Sequence, residues 1–329
     1  METNQKIIVG IDISKATLDI CLLRQSGQEH LVIDNDVKAI RRFFKTLPDP
    51  EQTIVSMENT GRFNWALYEA LTDSPATVYV ISPLHLKKSM GLVRSKNDKI
   101  DAERIARFTM KHYQELTPWL PPRKQVDQLK VLLTERNYRI KLKRQLLKMK
   151  HDYKLMKRLD LEQHLDAMNS ELITQVKQQI TQLEEQIEQL IKADEQLNNQ
   201  AQLIKSVPGV GKVLSWYLIA KTNEFKSITE PRKMACYSGV VPFDYQSGTS
   251  LKWKQRVSMF ADKMIKSLLH MGAMSAIRPD NDLRAYYLRK VKEGKNKMSV
   301  LNAVRNKIIH RVYAVLKKQT PYEKHLVLS

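Results

Sequence analysis

Four carboxylates stand in three short contexts of this chain, and their placing suits divalent-metal chemistry on phosphate. Asp12 ends the apolar run Lys6-Ile-Ile-Val-Gly-Ile-Asp12, Glu58 ends Thr53-Ile-Val-Ser-Met-Glu58, and Asp98 and Asp101 lie in Lys96-Asn-Asp-Lys-Ile-Asp-Ala102. Residues three apart on a helix share a face, so Asp98 and Asp101 address one spot if the segment from Asn97 to about His112 is helical. Asn97 is a suitable N-cap, acids fill the first turn, and Ile100, Ile105 and Phe108 form an apolar stripe, so that helix is predicted. Clustered carboxylates repel one another, and a hard cation such as Mg²⁺ or Mn²⁺ relieves the repulsion. Two such ions about 3.5–4 Å apart polarise a phosphodiester and stabilise both the attacking and the leaving oxygen. Each acid alone reads equally as a strand end, a loop acid or a helix-dipole partner; the joint pattern is what points to a nuclease-type centre.

A hydroxyl adds a second kind of chemistry. Ser247 stands in Tyr237-Ser-Gly-Val-Val-Pro-Phe-Asp-Tyr-Gln-Ser-Gly248, just before Lys252-Trp-Lys-Gln-Arg256, which predicts an exposed loop serine in the positive field of Lys252, Lys254 and Arg256. A serine needs activation before it attacks phosphorus, and no histidine stands nearby in sequence. Ser-Gly taken alone is an ordinary turn.

The elements that must position these groups divide the chain into three predicted parts. Residues 1–115 read as α/β: strand-like runs at 7–12, 17–23 and 30–33 joined by turns, a helix over 37–46, a strand at 53–57, a helix after Gly61, a strand at 77–81 and the Asp98 helix. Three hairpin-linked strands followed by alternating helices and strands, with acids on the first and fourth strands, is the ribonuclease-H-like order. Residues 116–205 are predicted as a long helical middle, without Pro or Gly from Arg123 to Lys205. Arg123 to Asp160 carries thirteen Lys or Arg against four acids, and Leu161 to Gln200 two against eight, so the sign flips mid-helix. Leu161, Leu165, Met168, Leu172, Val176, Ile180, Leu183, Ile187 and Leu190 form a heptad seam with one stutter, which predicts a coiled coil that loosens at Asp194. Heptads do not say whether the partner helix is intramolecular; self-association between chains, as dimer or tetramer, is the expectation. Lys141, Arg144 and Lys148 crowd the basic half and are expected to meet phosphate.

Residues 206–329 are predicted as a helical domain. It opens on Ser206-Val-Pro-Gly-Val-Gly-Lys212, which reads either as a helix-hairpin-helix turn, where Gly209 and Gly211 let backbone amides approach a phosphate, or as a plain helix link. Between Leu251 and Thr320 stand seventeen Lys or Arg against four acids, interleaved with Trp253, Tyr286, Tyr287 and Tyr313, the strongest nucleic-acid footprint in the chain. The whole-chain balance agrees: a net charge of +20 and a pI near 9.7 favour a polyanion through field attraction and counterion release. No apolar run approaches the roughly 18 residues that span a bilayer, and the start lacks an apolar signal segment, so a cytoplasmic protein without membrane contact is expected. Two cysteines and eight scattered histidines give neither a disulfide framework nor a zinc spacing.

Taken in order, Gly10-Ile-Asp-Ile-Ser-Lys15, Glu58-Asn-Thr-Gly61, the Asp98 motif, Val207-Pro-Gly-Val-Gly211, Tyr237-Ser-Gly-Val-Val-Pro242 and Ser247-Gly248 resemble the DEDD-type transposases of the "insertion sequence one-ten" family over nearly the whole chain. The resemblance implies a RuvC-like ribonuclease-H-fold domain joined to a helical transposase domain. It also implies a guide (bridge) RNA that pairs with donor and target double-stranded DNA, and a nucleoid-associated setting in a prokaryotic cytoplasm. Position by position it puts the catalytic, metal-binding acids on Asp12, Glu58, Asp98 and Asp101 and the catalytic serine on Ser247. The implied reaction is recombination through a covalent serine–DNA intermediate, and a coiled coil between chains would let acids of one chain meet the serine of another. Two departures stand out: many relatives have a basic-Gly-Asn stretch where this chain reads Val257-Ser-Met-Phe-Ala-Asp-Lys263, and Asn97 stands where a hydroxyl residue is common. The rivals are a metal-dependent nuclease that only hydrolyses, an actin-like nucleotide-binding fold suggested by Gly10-Ile-Asp-Ile-Ser14 but lacking its later glycine-rich loops, and a packaging protein acting by charge alone.

Overall fold

The computed structural model describes residues 6–89, 97–153, 155, 160–247, 251–279 and 281–323, and the chain divides into two compact units, Met1–Pro121 and Pro122–Ser329. In the first, β1 (Ile7–Ile13), β2 (Thr17–Arg24) and β3 (Gly27–Asp34) form an antiparallel meander. β4 (Thr53–Glu58) and β5 (Thr77–Ile81) then join in parallel, giving the order β3-β2-β1-β4-β5. This is the ribonuclease-H-like order read from the sequence, and it explains the unbroken apolar run of β1, which is central and covered on both faces. Ile7, Val9, Ile11 and Ile13 pack with Ile40 and Phe43 of α1 (Val37–Lys45) and Leu67 and Leu71 of α2 (Trp65–Leu71). Ile8 faces the other way, into a cluster with Leu86 of α3 (Pro83–Ser89) and Ala102, Ile105, Ala106 and Phe108 of α4 (Asp98–His112). α4 begins where the cap signal placed it, Asn97 accepting from the Lys99 amide at 3.1 Å.

The second unit starts with α5 (Lys124–Tyr153), and α6 (Glu162–Ala193) runs back along it. Arg136 pairs with Glu184 at 2.6 Å and Lys150 with Asp166 at 3.0 Å, a descending register that makes the two helices antiparallel. The sign change therefore does not fall mid-helix. It falls at the break between α5 and α6, and the basic and acidic halves face each other. The stretch read as a separate helical middle lies within this second unit. Part of the heptad seam is consumed inside the chain: Val176 and Ile180 cluster with Leu146, and Ile187 and Leu190 with Leu129 and Leu133. Towards the start of α6 the buried face moves by one residue, to Asn169 and Ile173, and leaves Leu161, Met168 and Leu172 exposed by 53%, 53% and 45%.

Asp194 ends α6 and caps α7 (Glu195–Lys205) by accepting from the Leu197 amide, so the expected loosening there is a helix break. Arg123 forks onto Asp194 at 2.7 Å and onto fully buried Glu224 at 2.5 Å, tying the start of α5 to this break and to the loop after α8 (Lys212–Lys221). That loop holds Asn223, Glu224 and Phe225 at φ of 48°, 57° and 64°, a run that costs backbone energy and is held by the buried ion pairs. Beyond α9 (Pro231–Tyr237), the domain expected to be helical contains an antiparallel hairpin, β6 (Pro242–Ser247) and β7 (Leu251–Val257). α10 (Lys263–Ala276), α11 (Asp282–Lys292) and α12 (Lys297–Lys318) complete the unit. Among the described residues no helix is long and apolar enough to cross a membrane.

Candidate catalytic centre and nucleic-acid interface

The first unit brings the four acids into electrostatic contact. Ile11 of β1 lies opposite Met57 of β4 in the parallel register, so Asp12 and Glu58 follow side by side at the strand ends, on the face that carries α4. α4 comes close because of Gly10: a Cβ there would collide with the Ala102 carbonyl, the Ala106 amide and the Ala106 methyl. Two residues on and on the same face, Asp12 meets the first turn of α4, where Asp98 and Asp101 stand. Burial pushes the Asp12 carboxyl up from 3.8 to about 6, with Asp101, Asp98 and Glu58 adding repulsion against a hydrogen bond from the Ile13 amide. The glycine and alanine of the two motifs thus act through packing, and the acids through charge.

Three neighbours escaped the sequence reading. Asp19 lies directly across the β1–β2 register from Asp12, and burial, then Asp98, raises its carboxyl while His30 opposes them. Asn64 is fully buried: its Oδ1 accepts from the Thr60 amide and hydroxyl, and its Nδ2 donates to the Glu58 carbonyl at 3.0 Å, fixing the loop that begins at Glu58. Arg104 holds Asp101 at 2.8 Å. The tight turn after Asp12 would have given the Asp19 register; an asparagine six residues beyond Glu58 carries no comparable signal. Among the described residues no three His, Cys, Asp or Glu side chains already form a metal cage.

In the second unit, Ser247 is the last residue of β6, paired with Leu251 of β7, and so ends a strand where the sequence suggested a loop. Gly248 lies outside the described residues, as do the side chains of Ser247, Lys252, Trp253, Lys254 and Arg256. Lys141, Arg144 and Lys148 on α5 are exposed, and no ion pair involves them among the described residues. Gly209, at φ +88°, turns the chain so closely onto α10 that a Cβ would lie 2.5 Å from the Gly272 carbonyl oxygen, which gives it a packing role. Gly211 faces open space at the start of α8. Tyr313, read as part of the basic-aromatic footprint, belongs to the core, its hydroxyl donating to the Ile228 carbonyl at 2.6 Å. At the departure after the serine, Asp262 caps α10 and pairs with Lys221 at 3.0 Å.

Comparison with known proteins bears on the same segments. A DEDD transposase family model matches residues 9–153, and a model described as the transposase IS116/IS110/IS902 family matches residues 201–288. The chain is 26% identical to a pilin gene-inverting protein of Moraxella bovis, covering 98% of this chain and 99% of that one. It is 23% identical to the transposase for insertion sequence element IS1111A of Coxiella burnetii, over 96% and 91% of the two. A T. thermophilus RuvC solved in complex with a Holliday junction substrate aligns over 35% of this chain and 99% of its own at 12% identity, with a TM-score of 0.28; the strand order, not this weak superposition, assigns the fold. With both family segments matched in order, and with relatives alike from end to end, this chain belongs to the IS110 family of transposases.

Proposed function

We propose that the chain is an RNA-guided DNA recombinase of an insertion sequence, which cleaves and rejoins DNA through Ser247 with divalent metal on Asp12, Glu58, Asp98 and Asp101. The observation that carries the reading is Asp12, whose carboxyl burial and three facing acids push up to about 6. A set of hard oxygen donors under such mutual repulsion fits Mg²⁺ or Mn²⁺, with Arg104 releasing Asp101 as the charge is balanced. A bound ion would supply Lewis-acid polarisation of the phosphodiester. For the chain's own part, Ser247 Oγ forms a bond to phosphorus, the bond to one deoxyribose oxygen breaks, and that oxygen takes up a proton in place of the one serine loses. One phosphodiester is exchanged for one phosphoserine, so no nucleotide need be consumed; a second deoxyribose hydroxyl reverses the step on a new strand.

The basic residues support the partners. Lys141, Arg144 and Lys148, exposed on α5, would contact nucleic-acid phosphates, and so would Lys252, Lys254 and Arg256 in the sequence of β7. Gly211 offers backbone approach, with Gly209 holding the turn. The guide RNA rests on the family resemblance. Self-association, as dimer or tetramer, is supported by Leu161, Met168 and Leu172, seam positions that α5 leaves exposed, and it would allow acids and serine from different chains to act together. The test incubates purified protein and its co-purifying RNA with donor and target duplexes and Mg²⁺. Denaturing gels should show a protein–DNA adduct with the intact chain and neither adduct nor cleavage with Ser247→Ala. Cleavage by Ser247→Ala without adduct would replace this reading with that of a purely hydrolytic nuclease.

A further inference from the structure

Among the described residues a buried cation of the second unit has no anion to answer it. Arg305 of α12 is only 6% exposed, yet no carboxylate pairs with it among the described residues. Its terminal nitrogens reach His270 Nδ1 at 2.6 Å and Asn302 Oδ1 at 3.3 Å, and its Nε is buried without a hydrogen-bond partner among the described residues. Burial lowers its pKa with nothing to offset it. A lone buried charge is costly to a fold unless a counter-charge meets it. A guanidinium has no acceptor, so His270 Nδ1 must accept, which leaves Nε2 to carry the ring's proton as a further donor.

One neighbour, Lys266, adds positive charge, and Asp262, the acid that caps α10, is already engaged by Lys221 at 3.0 Å. Lys266, one turn before His270 on α10, brings its Nζ to within 3.7 Å of where a Cβ would stand on Gly239. Asn302, one turn before Arg305, donates to the Val240 carbonyl. Asn302 therefore holds, and Lys266 lies beside, the 239–241 segment that leads directly into β6, the strand ending on Ser247. Arg305 lies at the base of this arrangement, and Lys266, His270 and Asn302 are half-buried around it.

We infer that Arg305, His270 and Lys266 form a seat for one backbone phosphate of duplex DNA at the root of the β6–β7 hairpin, a role that rests on the serine-recombinase reading. The seat would hold the backbone next to the strand that carries the nucleophile, making Arg305 a binding and positioning residue.

The test measures duplex binding by fluorescence anisotropy over a range of KCl, in a Ser247→Ala background so that no chemistry intervenes. Arg305→Met should lower the slope of log K against log salt by about 0.9, the release expected for one phosphate, and should leave thermal stability equal or higher because the buried charge is gone. An unchanged slope in a folded variant overturns the seat, as does a change seen only with a single-stranded RNA of the same length. Should Arg305→Met fail to fold, the double variant Lys266→Met, His270→Gln on the half-buried rim decides by the same slope. The parent reading is tested apart, by the covalent adduct with Ser247 intact: absence of the adduct defeats the nucleophile while the slope still reports on the seat.

Discussion

Replacing Asp12 by Asn should stabilise the first unit in the absence of metal while abolishing its stabilisation by metal. The Asp12 carboxyl stands at about 6 in the fold against 3.8 ordinarily, so the folded state holds a proton that the unfolded chain gives up between those values. Its favourable contribution is complete below pH 3.8 and is lost as pH rises through 6. At neutral pH the ionised carboxylate is a net cost. Two pH units correspond to roughly 3 kcal/mol at 1.36 kcal/mol each, and because Asp12 is only half-buried, solvent screening reduces this to about 1–2 kcal/mol. The assay is calorimetric melting of the full chain in EDTA from pH 4 to 8, followed by titration with Mg²⁺ or Mn²⁺. Asp12→Asn should raise the transition of the first unit by roughly 3–8 °C at pH 7.5 and by little at pH 4. Adding metal should raise the unaltered chain and leave the variant nearly still. A variant less stable than its parent at pH 7.5 in EDTA, with a difference that does not vary with pH, would show that the four acids do not share one field, and the metal reading would fall with it.

Other substitutions separate positioning from chemistry. Gly10→Ala places a methyl against the backbone of α4 and should cost about 1–3 kcal/mol by overpacking while abolishing DNA cleavage, read by melting and by nicking assays. Asn64→Leu removes the side-chain bonds to the Thr60 amide and hydroxyl and to the Glu58 carbonyl, leaving only the direct Thr60–Glu58 backbone bond; a loss of about 1–3 kcal/mol is expected, with cleavage reduced and duplex affinity kept. Arg123→Met leaves Glu224 buried with Lys226 as its one cation among the described residues and should destabilise the second unit by roughly 3 kcal/mol or more in a denaturant melt. Since Arg123 holds the Asp194 carboxyl below its usual range, that pair's contribution is present at neutral pH and lost as pH falls through the lowered value. Changing Lys141, Arg144 and Lys148 together to Gln should flatten the salt dependence of DNA binding by about 2.7 if each meets one phosphate, with melting unaltered.

Much of the first unit is legible in the sequence because each signal there is local and points the same way. β1 is an apolar run because it is central; Asn97 and the first-turn acids mark the start of α4; and the two motifs carry the small residues, Gly10 and Ala102, through which strand and helix touch. The four acids are legible as a set only through their joint pattern, because each alone fits an ordinary strand end or helix start and only together do they repel one another around Asp12. Asn64 and Asp19 lie beyond that reach, since one acts through backbone groups four and six residues away and the other through strand register. The partner of the helical middle is not legible for a related reason. A heptad pattern and a charge division each report that a helix has a partner, and neither reports which chain supplies it; the break between α5 and α6, with no Pro or Gly to mark it, turns both signals inward. The one-residue shift of the buried face near Ile173 is what keeps the inward solution incomplete. Leu161, Met168 and Leu172 stay exposed in the single chain, and the proposed self-association would bury them in a seam longer than the hairpin can use.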